Sequence, residues 1–151
     1  MITAEMRSLI EAFPLGFVAT VQPDGAPAVS PKGTFLVLDD VTVAFSNIRS
    51  PGTMRGIAHD PRVEVNFIDI FRRKGVRLAG MAQAADKGAE GFEAHFPRFK
   101  ATWPDLAHRI RSIVTIEVTA ARIVTTPPYD DGATEAEMIA AYKAKFAGMY
   151  P

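Results

Sequence analysis

Apolar residues at Met6, Leu9, Ile10 and Phe13 recur at the spacing of one helical face, and Thr3 stands at the N-cap position before them. The chain is therefore expected to open with a short amphipathic helix, ended by Pro14. Phe17–Val21 and Ala26–Leu38 follow as β-prone stretches, joined by Gln22-Pro23-Asp24-Gly25, whose proline and glycine suit a hairpin turn. Asp39-Asp40 marks a second reversal into Val41–Ser46, so the first half reads as a three-stranded meander. Pro27 and Pro31 make the second strand irregular or place it at an edge.

Beyond Asn47 the period changes. Ser50 is a candidate cap and Pro51 takes the favoured first helical position, with Met54, Ile57 and Ala58 as an apolar stripe up to Pro61. Val63–Ile70 and Val76–Ala84 are two more strands around Phe71-Arg72-Arg73-Lys74-Gly75, and Gly80 marks a close approach. Phe92, His95, Phe96 and Phe99 predict a helix weakened by Gly91 and ended near Pro97. Ile110–Val124 is the clearest strand, Thr125–Gly132 a proline-containing loop, and Thr134 with Glu137 a capping box for a last helix whose face is Met138, Tyr142, Phe146 and Met149. These elements, six strands and three or four helices, lack the regular alternation of a doubly wound parallel sheet. A mainly β (α+β) fold is expected, a small barrel with helices at its edges.

Composition narrows the function classes. A chain of 151 residues with 48% hydrophobic content suits one domain over residues 1–151. Seventeen basic residues balance seventeen acidic ones, so no net field favours nucleic acid or an anionic membrane. The absence of cysteine excludes disulfides and thiolate chemistry and suits a cytoplasmic location. Met1–Phe13 carries Glu5, Arg7 and Glu11 in place of a signal-peptide apolar block, so a soluble, unprocessed protein is expected. His59, His95 and His108 lack metal-ligand spacing, and no nucleophile elbow, phosphate loop or dinucleotide fingerprint is present.

The segment Ser46-Asn47-Ile48-Arg49-Ser50-Pro51-Gly52-Thr53 leaves a strand, presents a cation and hydroxyls, and enters a helix, which outlines a phosphate site. By chemistry alone it also reads as an ordinary Ser-Pro helix cap beside a solvated arginine. Ser30 and Lys32, two apart on a strand, face one side and are candidates to reach the same ligand, or to form a solvated edge. Arg72-Arg73-Lys74-Gly75 is a second cationic cluster in a turn.

Taken together these segments resemble the FMN-binding split barrels of the pyridoxamine 5′-phosphate oxidase family. The resemblance runs through Gly16-Phe17-Val18-Ala19-Thr20-Val21, Asp24-Gly25-Ala26-Pro27, Val29-Ser30-Pro31-Lys32-Gly33, Val43-Ala44-Phe45-Ser46-Asn47, Asp60-Pro61-Arg62-Val63-Glu64-Val65 and Arg73-Lys74-Gly75-Val76-Arg77-Leu78-Ala79-Gly80. It implies a six-stranded antiparallel split β-barrel with peripheral helices, an FMN cofactor at a homodimer interface, and flavin-dependent oxidoreduction of a small molecule. Flavin or haem binding without turnover, and use of the deazaflavin F420, are the alternatives it leaves open. The family pattern places Lys32, Arg49, Ser50 and Thr53 at the FMN phosphate and Ser46 and Asn47 along the flavin, with Ser30, Arg73 and Lys74 as further cofactor-binding residues. Where the family's oxidases carry Ser-Arg-Lys, this chain has Ser50-Pro51-Gly52, followed by Thr53. Tyr129, in the loop before the last helix, is the substrate-facing candidate.

Overall fold

The computed structural model describes residues Met1–Pro151. Helix α1 (Ala4–Ala12) leads into β1 (Gly16–Val21), β2 (Pro27–Lys32), β3 (Phe35–Val37) and β4 (Thr42–Asn47). Then come α2 (Pro51–His59), β5 (Arg62–Asp69), β6 (Lys74–Asp86), α3 (Glu90–Thr102), β7 (Ser112–Thr125) and α4 (Glu135–Met149), with 3₁₀ turns at Ala107–Arg109 and Pro127–Tyr129. The caps expected from sequence are made: Thr3 Oγ1 accepts from the Met6 N–H at 3.3 Å, and Thr134 and Glu137 form the reciprocal box.

The strands form one antiparallel sheet of seven, in the order β2-β1-β5-β6-β7-β4-β3. The expected six become seven, and the expected meander is corrected, because the apolar run Ala26–Leu38 is two strands. Gly33 and Thr34 separate them, and Pro31 lacks the amide that would let β2 accept another neighbour at that residue. β2 pairs with β1 and β3 pairs with β4, so two strands only two residues apart in sequence occupy opposite edges of the sheet. Only a sheet curled nearly shut satisfies that connection, which makes the fold a split β-barrel with Gly33–Thr34 bridging its open seam.

Curling puts alternate side chains inside. Phe35, Phe45 and Phe67 meet at the centre, with Phe35 at 4.8 Å from Phe67 in edge-to-face geometry and 5.3 Å from Phe45. Leu9 and Ile10 of α1 and Ile57 of α2 close the same core. A smaller cluster of Phe92, Phe99, Ile110, Ile113 and Ala44 lies under α3. That helix runs through Pro97, contrary to expectation. Pro97 removes one amide bond to the preceding turn, but buried Phe92 and Phe99 anchor the helix on either side of it.

Gly80 sits at the register shift between β6 and β7, where an added Cβ would lie 2.3 Å from the Glu117 carbonyl oxygen. The close approach read from sequence is therefore backbone against backbone. Helix α4 packs on the β5–β6 turn through Phe71–Phe146 contact at 5.4 Å and the Arg73 guanidinium 4.5 Å from the Tyr142 ring centre. Along its apolar face Met138 is buried, Tyr142 and Phe146 are half-buried, and Met149 is exposed. No helix is long and apolar enough to cross a membrane.

Candidate functional site at the barrel seam

The seam opens into a cleft of about 450 Å³ lined by Lys32, Thr34, Ser46, Arg49, Ser50 and Arg109 among others. Each element brings its residue for a local reason. β2 alternates so that Ala28, Ser30 and Lys32 turn inward, and the Lys32 Nζ donates to Ser30 Oγ at 2.6 Å. Lys32 is only 6% exposed, forms no ion pair, and has its pKa pushed below the ordinary lysine value by burial. Across the seam, Thr34 Oγ1 and Ser46 Oγ share a hydrogen bond of 2.6 Å, and the Ser46 N–H donates to Thr34 Oγ1 at 3.2 Å.

At the start of α2, Ser50 occupies the cap position but makes no capping hydrogen bond, leaving its hydroxyl free. Pro51 has no N–H, and the Met54 amide, bonded to the Ser50 carbonyl at 3.0 Å, is the first to find an acceptor within the turn. Gly52 and Thr53 thus present the unpaired amides of a helix N-terminus near Arg49. Gln22 steadies this turn: its Nε2 donates to the Gly52 carbonyl at 3.1 Å and to Thr20 Oγ1 at 3.2 Å. Gly56 lets α2 lie close to β1, since a Cβ there would meet Thr20 Oγ1 at 2.7 Å.

The cleft gathers Lys32, Ser46, Arg49 and Ser50 from the sequence candidates, with Ser30 one hydrogen bond behind Lys32. Thr53 is buried on the inward side of α2 beside Gly56 and Ile57. Strand alternation turns Asn47 away from Ser46; its Nδ2 donates to Ser112 Oγ at 2.9 Å, and its buried Oδ1 has no partner. Sequence reading missed Thr34 and Arg109, which enter from across the seam and from the turn after α3.

Arg73, Lys74 and Tyr129 lie elsewhere. None of the three lines the cleft: Lys74 begins β6, whereas Ser46 lies across β7 from Ala85 near the end of β6. Lys32, on the other wall of the cleft, is three strands across from Val76 near the start of β6, through Gly16 and Phe67, which is about 15 Å at the ordinary strand spacing. There, Lys74 pairs with Glu135 at 3.1 Å and Glu5 at 3.4 Å, which raises its pKa, chiefly through the hydrogen bond to Glu135. The Tyr129 hydroxyl donates to the Arg72 carbonyl, and its ring lies 5.3 Å from Lys74 Nζ. Arg73 adopts a left-handed backbone at φ 56° and stacks on Tyr142. Desolvation raises the Tyr129 pKa.

Solved structures share this architecture. HupZ from Group A Streptococcus is 27% identical, with a TM-score of 0.71 over 83% of this chain and 96% of that one. An FMN-binding protein from Syntrophomonas wolfei is 14% identical, with a TM-score of 0.67 over 80% and 84% of the two chains. An F420 reductase is 22% identical, with a TM-score of 0.62 over 80% and 98%. Comparison with curated proteins finds no match. The family profile described as pyridoxamine 5′-phosphate oxidase matches residues 2–127. That span takes in every strand, the seam and its cleft, and the chain therefore belongs to the pyridoxamine 5′-phosphate oxidase family.

Proposed function

We propose that the protein binds FMN in the seam cleft and acts as a flavin-dependent oxidoreductase on a small molecule. The carrying observation is Lys32: a buried amine with one hydroxyl partner and no carboxylate, facing the same cleft as Arg49, Ser50 and Arg109. A cation left in that state is unfavourable unless an anion completes it, and a phosphate dianion is complementary to it. The residues fit FMN. Lys32, Arg49, Ser50 and the Gly52 and Thr53 amides would hold its phosphate, and Asn47 Oδ1 is a buried acceptor next along β4. Bound flavin supplies the hydride or electron chemistry, while these side chains bind and orient it.

The reading includes a homodimer. Phe17 and Val29 stand 41% and 68% exposed on the outer face of β1 and β2, beside a groove of about 580 Å³. A second copy covering that face would remove them from water. Arg73, Lys74 and Tyr129 do not line the cleft of their own protomer, and in this reading their flavin or substrate role is supplied from the partner subunit. The cysteine-free chain suits the cytoplasm, where we place this activity.

Purified protein is expected to be yellow with a flavin spectrum; a Soret band, or retention of F420 in preference to FMN, would replace FMN in this reading. Arg49→Ala is expected to weaken FMN about ten- to a hundred-fold and riboflavin far less, because only FMN carries the dianion. Equal loss for both ligands would show that Arg49 shapes the pocket and does not bind phosphate.

A further inference from the structure

A second cleft, of about 590 Å³, continues from the first across Ile48, Arg49 and Arg109. Its other lining residues are Lys87, His108, Ile110 and Arg111. Four formal cations and a histidine therefore share one wall with no carboxylate, in a chain whose total charge is zero. None of Arg49, Lys87, Arg109 and Arg111 joins any of the chain's eight ion pairs or donates a side-chain hydrogen bond. The acids nearest in sequence, Asp86, Glu90, Glu93 and Asp105, are not on the wall, and Glu93 is occupied by the Gly88 N–H at 3.2 Å.

The backbone builds this wall deliberately. β6, β7 and β4 are adjacent, and Asp86, Ser112 and Asn47 lie in register across their ends. Beyond that row the Arg111 N–H donates to the Asn47 carbonyl at 2.9 Å and the Lys87 N–H to the Arg111 carbonyl at 3.1 Å. Lys87 and Arg111 are thus fixed as like-charged neighbours across adjacent chains, with Arg49 two residues past Asn47. Like charges set opposite one another across paired backbone are destabilising, so the arrangement gains from an anion that bridges them.

We infer that this cleft is a second anion site, contiguous with the phosphate site, and that the protein's ligands carry an anionic group beyond the cofactor phosphate. Resting on the FMN reading only for what occupies the neighbouring cleft, the inference admits two sources of the same chemistry. The charge belongs either to an extension of the cofactor past its phosphate or to a separate anionic substrate.

The test uses the full chain and the double variant Lys87→Gln/Arg111→Gln, whose side chains are exposed, with Lys143→Gln/Lys145→Gln on α4 as a control of equal charge change. FMN, FAD and inorganic tripolyphosphate are titrated calorimetrically into each, the last with and without FMN present. The expected result is that the cleft variant holds FMN within about threefold while losing at least about tenfold in affinity for FAD, for tripolyphosphate, or for both. Loss for FAD alone assigns the site to a cofactor extension, and loss for tripolyphosphate in the FMN-loaded protein assigns it to a separate anionic ligand. No loss for either probe, or equal loss in the α4 control, overturns the inference. Should FMN fail to bind at all, the flavin reading falls, while tripolyphosphate binding to the flavin-free protein still decides the second site.

Discussion

Lys32 Nζ lies 2.6 Å from Ser30 Oγ on the inward face of β2, and no carboxylate approaches either. A serine hydroxyl orients the amine but does not neutralise it, so the folded protein keeps a positive charge in a place that burial disfavours. The neighbouring Arg49 is exposed, and it too has no carboxylate partner. The seam of the barrel is therefore poised for an anion before any ligand arrives.

Replacing that lysine by a residue of similar shape without charge should separate stability from binding. Lys32→Met is expected to raise the melting temperature of the flavin-free protein and to weaken FMN about ten- to a hundred-fold. The pH dependence has a defined sign. Burial lowers the Lys32 pKa from 10.5, so the unfolded chain holds the proton more tightly, and stability of the flavin-free protein rises as pH climbs through the depressed value toward 10.5. Thermal melts across that alkaline range should show this upward slope in wild type and its loss in Lys32→Met. An unchanged slope would mean that the Lys32 amine is solvated.

The caps and single elements were legible in the sequence because their determinants are local. Thr3, Thr134 and Glu137 bond within three residues of themselves, and the Ser50-Pro51 start of α2 depends on its own dihedrals. The division of Ala26–Leu38 was not legible, since nothing in that run says that Lys32 belongs to one sheet edge and Phe35 to the other; the partners that decide it are β1 and β4. Thr34 and Arg109 joined the cleft for the same reason. The cationic turn at Arg72–Lys74 was visible as a charge cluster, yet Glu135, which pairs with Arg72 at 3.1 Å and with Lys74, is some sixty residues away and only folding brings it there.

Gly56→Ala is expected to damage the site without touching it. Alanine favours a helix interior by somewhat under 1 kcal/mol, but its Cβ would stand 2.7 Å from Thr20 Oγ1 and 2.8 Å from both Thr20 Cβ and Gln22 Nε2. Such overpacking costs about 1–3 kcal/mol and wins over the propensity gain. Helix α2 must move off β1, breaking the Gln22–Gly52 bond that steadies the helix start. Melting temperature and FMN affinity should fall together. A variant melting above wild type with intact FMN affinity would show that the sheet yields instead.

Charge placed on the outer sheet face should test the proposed dimer. Phe17→Glu with Val29→Glu leaves the barrel core untouched because neither side chain belongs to it and both lie on the outer face, 41% and 68% exposed. A second copy cannot cover two carboxylates cheaply, so light scattering should return the mass of one chain for the variant and of two for wild type. Wild type running as a monomer at micromolar concentration would remove the dimer, and with it the partner-supplied role of the β6 start.

Tyr129→Phe addresses that route directly. Within one protomer the hydroxyl is committed to the Arg72 carbonyl, while the ring lies beside Lys74 and the capped start of α4 holds the far end of the loop. Losing one neutral hydrogen bond costs about 0.5–1.5 kcal/mol, so a modest drop in melting temperature is expected whatever else Tyr129 does. A substrate role predicts more: with FMN content and dimer mass unchanged, reoxidation of the reduced flavin by an organic acceptor should change in rate, because the phenol both walls and polarises the approach. Stopped-flow reoxidation with several acceptors distinguishes the two. If every acceptor reacts at the wild-type rate while the melting temperature falls, the hydroxyl serves only to pin the Pro127–Tyr129 turn to the β5–β6 connection.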